Sequence, residues 1–132
     1  MNAEYTLLAA LEADTATMAL LSSVGGNKCI AVAMKDPATW PVDGTTLSIY
    51  NAVGVNNSVP WSPVELTVNC RAATEVAVKG LVAAVISAIN REPIAGGGYW
   101  SCQTLFLIRP EDGADAYNMP IIITAIAGRE ID

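Results

Sequence analysis

Residues 64–72 alternate without interruption. Val64, Leu66, Val68 and Cys70 point one way, and Glu65, Thr67, Asn69 and Arg71 point the other. That is the period of a strand with one buried and one polar face. Then the period changes. Across residues 74–91, Val78, Leu81, Val82, Val85 and Ile89 fall on one helical stripe. Thr74 is a good N-cap, and Pro93 stops a helix beyond Glu92. Glu75 and Lys79 stand four residues apart on the outer face. Ala83 and Ser87 continue that face with small side chains, and so sparse a polar face predicts a helix partly covered by a neighbour. A strand that runs straight into such a helix buries both stripes when the helix packs on a sheet.

The remaining segments fit around this unit. Residues 3–13 read as a helix, and Leu7, Leu8, Leu11, Met18, Leu20 and Leu21 give residues 3–21 an apolar stripe. Asp14-Thr15 reads as a break and re-cap before a further short turn to Leu21. Gly25-Gly26 reads as a helix terminator. Residues 28–34, 45–53, 99–109 and 119–127 read as strands. In the second of these Leu47 and Ile49 share a side, opposite Ser48 and Tyr50. Pro, Gly and Asn mark residues 35–44 and 54–63 as loops, and residues 95–98 as a glycine-rich connection. The order is helix, three strands, helix, two strands. It predicts one α+β domain over residues 1–132, with a single mostly antiparallel sheet and helices packed on one face. The short gap between residues 109 and 119 predicts an antiparallel closing hairpin.

Composition removes several function classes. Seven Lys and Arg against thirteen Asp and Glu give a net charge of −6. That balance is poor for binding nucleic acid, which needs clustered cations against phosphate. With 52% hydrophobic residues, 15% charged residues and a mean hydropathy of +0.39, the chain is too apolar to be disordered. The same figures leave more apolar surface than one small core absorbs, which points to self-association. There is no His, so no imidazole base and few routes to zinc. The Lys residues sit in no nucleophile motif. No catalysis, cofactor or metal is expected. Residues 1–21 lack the positive start of a secretory leader, and the longest apolar run, residues 76–89, is too short to span a bilayer. Cys29, Cys70 and Cys102 have no metal spacing, and each lies in a strand-like run. Free, mostly buried thiols are expected.

Two kinds of loop residue are candidates for contact. Trp40 and Trp61 lie in Pro-rich loops, where a tryptophan serves either as a lid on its own core or as an interface anchor. Glu111, Asp112 and Asp115 form an acidic loop without the spacing of a calcium site. They are expected to face solvent, a channel or a basic partner.

The order and lengths of these segments resemble the tail terminator (tail-completion) proteins of long-tailed bacteriophages. The resemblance is carried by the Leu-Leu-Ala-Ala-Leu helix running into Met18-Ala19-Leu20-Leu21. It is carried also by the strand 64–71 leading into Thr74-Glu75-Val76-Ala77 and its helix, and by Glu111-Asp112-Gly113 before the last strand. The Trp- and Pro-rich segments 35–44 and 56–63 depart from it. The resemblance implies a virion protein assembled in the host cytoplasm into a ring, usually a hexamer. That ring caps the tail tube, ends its polymerisation and joins a neck or connector protein. DNA passes through it without specific binding, and no membrane is involved. A net charge of −6 on each copy suits a channel that repels DNA. Another neck or head-completion protein is the nearest alternative. A small-molecule-binding α+β domain is an alternative of a different class.

Overall fold

The computed structural model describes residues 3–32, 39–50, 64–94, 97–104, 107–108 and 116–126. The chain runs α1 (Ala3–Glu12), α2 (Thr15–Leu20), β1 (Ser23–Val24), β2 (Asn27–Lys28), β3 (Ile30–Val32) and β4 (Thr46–Tyr50). It continues with β5 (Val64–Ala72), α3 (Glu75–Ile89), β6 (Tyr99–Thr104) and β7 (Tyr117–Ile126). Five strands form one sheet in the order β3-β4-β5-β7-β6, and β1 and β2 form a separate two-stranded ribbon. Every pair in the large sheet is antiparallel except β3 with β4. This is the expected α+β fold, with β6 and β7 as its antiparallel closing hairpin.

The register puts the apolar rows on the helix side. Leu47 pairs with Cys70, and Cys70 with Met119. Ile49 pairs with Val68, and Val68 with Ile121. Leu66 pairs with Ile123, and Ile123 with Cys102. Against these rows α3 buries Val78, Leu81, Val82, Val85 and Ile89, the stripe read from the sequence. Leu7 and Leu11 of α1 are buried in the same core. Burying each such side chain is worth roughly 1.5–3 kcal/mol. The caps are where the sequence places them. The Thr74 hydroxyl accepts from the Ala77 N–H at 3.1 Å, and the Asp14 carboxylate accepts from the Thr17 N–H at 3.0 Å.

The structure revises two local readings. Gly25 and Gly26 do not end a helix. α2 already stops at Leu20, and the two glycines, with φ of 59° and 84°, make the turn between β1 and β2. Positive φ at both central residues is what a tight two-residue hairpin needs, and glycine supplies it. The strand expected over residues 99–109 is interrupted. Thr104 pairs with Ile121 but Ile108 pairs with Asn118, so the register slips by one residue between them. The slip turns Ile108 to the side of the sheet away from the helices, where Asn118 and Arg71 lie. Trp100 is a core residue at 1% exposure, packed in the same cluster as the α3 stripe.

Candidate functional site

The two ends of the sheet differ. β5 enters it at Val64 and leaves it at Ala72. At the exit end stand the start of β4 (Thr46 opposite Arg71), the start of β7 (Tyr117 opposite Ala72) and the Ile108–Asn118 bridge. The first turn of α3 and the end of α2 are there too, since the Ser22 N–H donates to the Thr45 carbonyl at 2.9 Å. At the entry end stand Tyr50, Val32, Tyr99 and Ile126.

This arrangement sorts the candidate residues. Trp40 is half-buried and leads into a turn over residues 41–45 at the exit end. That turn is closed by the Gly44 N–H donating to the Pro41 carbonyl at 3.1 Å. It is held to α2 by the Thr45 N–H donating to the Ser22 hydroxyl at 2.9 Å. Trp61, Glu111, Asp112 and Asp115 lie outside the described residues. The described residues that bracket the acidic loop, Ile108 and Ala116, are at the exit end with Trp40. Those that bracket residues 51–63, Tyr50 and Val64, are at the entry end. The fold therefore sets the Trp40 segment and the two described residues that flank residues 51–63 at opposite ends.

Exposed apolar side chains follow the same division. Among the described residues, Leu20, Val42, Val76 and Ile108 are large, apolar, exposed and at the exit end, with Val76 83% exposed, while Tyr99 is exposed at the entry end and Tyr5 on α1. A small domain ordinarily turns such residues inward, and a group of them marks a contact surface. The sequence reading missed Val42, Val76 and Ile108. Val76 was legible as an apolar residue off the buried stripe. Ile108 was not, because its direction depends on the register slip.

Polar chemistry at this end is sparse. The Asn69 side-chain amide donates to the Asn118 side-chain carbonyl at 3.0 Å. Thr46 is buried at 1% exposure, and its hydroxyl has no hydrogen-bond partner among the described residues. Lys79 and Glu75 face each other at 3.9 Å, both well exposed, which is worth little to stability. The cysteines are free, with Cys29 and Cys70 buried and Cys102 half-buried. Burial pushes the Cys102 thiol up from 9.0 to about 11 and the Cys70 thiol higher still. Among the described residues no group of three His, Cys, Asp or Glu is placed to hold a metal ion. No helix there is long and apolar enough to cross a membrane.

The chain matches no protein-family model and no curated protein. It does share its fold with a solved structure, a chain of the "Virion of native gene transfer agent (GTA) particle". The TM-score is 0.64 and the identity 19%, over 94% of this chain and 92% of that one. At that identity the likeness defines the fold, an α+β domain shared over more than nine-tenths of each chain.

Proposed function

We propose that the protein is a structural, non-catalytic component of a phage-like virion. Within that class we propose a tail terminator, a ring that caps the tail tube and forms the surface joining it to the neck. The observation that carries the reading is the fold shared along 94% of the chain with a chain of a gene transfer agent virion. Two features support it. Four of the six exposed large hydrophobic side chains among the described residues, Leu20, Val42, Val76 and Ile108, stand at one end of the sheet, as surface suited to being covered in an assembly. The segments that carry or bracket the candidate contact residues leave the sheet at both ends. A flat ring that meets a neighbour on each side needs that arrangement. The net charge of −6 suits a ring that DNA passes without sticking.

Light scattering on the purified chain tests the ring. A closed ring has a mass several times 13.8 kDa, unchanged on dilution over a decade. Capture of a tail-tube protein from particle-producing cells tests the terminator role. Capture of a portal or adaptor protein without the tube would make it a neck protein instead. A monomer at every concentration that recovers neither would overturn the reading.

A further inference from the structure

β6 is the last strand of the large sheet, yet its outer edge is not bare. The chain leaving α3 turns back along it as a short strap, residues 91–94. The Ile94 N–H donates to the Gly98 carbonyl at 2.9 Å, Pro93 bridges to Tyr99, and the Trp100 N–H donates to the Glu92 carbonyl at 3.0 Å. At Trp100 the pairing carries one residue too many. The Trp100 carbonyl accepts from the Arg91 N–H, at 2.7 Å, while the Glu92 N–H turns back to the Ile89 carbonyl at 3.0 Å. Two residues thus stand opposite one, and the first of them, Arg91, has a φ of 67°. A bulge of this form ordinarily has glycine in its first position; here that position holds arginine. Beyond the bulge the chain bends into α3, and the Asn90 side chain takes over: its carbonyl accepts from the Cys102 N–H at 3.0 Å.

The strap is thinly held. Arg91, Glu92 and Pro93 are exposed, and of the four residues Ile94 alone is buried. One end turns on Arg91, the other on Gly97 and Gly98, with φ of 114° and 91°. Segments with few buried apolar contacts are those that open locally, and a side chain held at positive φ stores strain that opening releases.

We propose that residues 91–94 are a latch that opens as one unit while the rest of the sheet stays folded, and that the strain at Arg91 sets how often it opens. Closed, the strap occupies the hydrogen-bonding edge of β6 at Trp100. Open, it frees the Trp100 N–H and carbonyl, withdraws Ile94 from the core and leaves that edge able to pair. Native-state hydrogen exchange of the wild-type chain, followed over a series of low urea concentrations, tests this. The amides of Ile94, Trp100 and Cys102 should be protected roughly 10-fold less than those of β5, and their exchange should hardly respond to urea, since a local opening exposes little surface. Arg91→Gly relieves the closed strap and should slow exchange at the same three amides roughly 2- to 5-fold. Asn90→Ala removes one acceptor and should quicken all three together, whereas Asn90→Asp, which keeps an acceptor, should not. Amides of the strap and its edge that share the protection and urea dependence of β5 would mean no separate opening, and would overturn the proposal. So would rates unmoved by Arg91→Gly, or a quickening by Asn90→Ala confined to Cys102. None of these measurements requires association, so the ring reading stands or falls separately.

Discussion

Arg91 is the non-glycine residue among those described that has a positive φ, 67°. It follows Asn90, the C-cap of α3, at the position where helices commonly turn left-handed on a glycine. A side chain there costs about 1–2 kcal/mol, of which glycine's greater unfolded freedom returns about 0.5–1. Arg91→Gly should therefore raise stability by up to about 1 kcal/mol, read from the urea midpoint. Thr46 carries an orphaned hydroxyl in a buried site. Thr46→Val keeps the shape, removes the unpaired group and should stabilise by about 1 kcal/mol in the same assay. The thiols make stability depend on pH. Cys102 holds its proton to about pH 11 when folded, but releases it near pH 9 when unfolded. The unfolded state thus binds fewer protons above pH 9. The contribution is whole below that pH and is lost as pH climbs toward 11. Stability of the wild type should fall across that window more steeply than that of Cys102→Ala, measured by denaturant titration at pH 8, 9.5 and 10.5.

α3 and β5 were legible because burial and period coincide in them. Each stripe residue read from the sequence is buried, down to Ile89. Val85 lies at its centre with no exposure, so Val85→Asp leaves a carboxylate with nothing to pair with. It should abolish folding, seen as loss of the cooperative thermal transition, since such burial costs several kcal/mol. The elements that were not legible depend on distant partners. Nothing in Ile30, Ala31 and Val32 says that they pair in parallel with Leu47, Ser48 and Ile49. Gly25-Gly26 has the same letters whether it ends a helix or turns a hairpin. The strand that begins Tyr99-Trp100 offers two aromatics for one core position, and the pairing of Trp100 with Ala125 selects the second. The hydrogen bond from the Arg71 side chain to the Val42 carbonyl is invisible for a plainer reason. Its acceptor is a backbone carbonyl, which every residue has.

At the scale of the whole molecule, the described residues nearest the candidate contacts stand in two places. Trp40 sits at the exit end, while Val64, the nearest described residue to Trp61 in sequence, sits at the entry end. Trp40→Ala should weaken assembly by about 1–4 kcal/mol, the range of interface anchors, with the monomer's circular dichroism unchanged. With Trp40 and Val64 at opposite ends of the sheet, the Trp40→Ala and Trp61→Ala effects on association should add to within about 0.5 kcal/mol. A strongly non-additive pair would mean that both tryptophans serve one contact. The outer edge of β6 sets a condition on how copies meet. The Arg91 N–H donates to the Trp100 carbonyl at 2.7 Å, the Trp100 N–H to the Glu92 carbonyl at 3.0 Å, and the Cys102 N–H to the Asn90 side chain at 3.0 Å. The segment after α3 is stitched along that margin like a hem. With the strap closed, two copies that collide at Trp100 find no loose thread there to zip together, which is the first step of a fibril. Along that margin, copies that associate must do so through side chains, and a junction of side chains can be made, broken and made again without any chain unravelling.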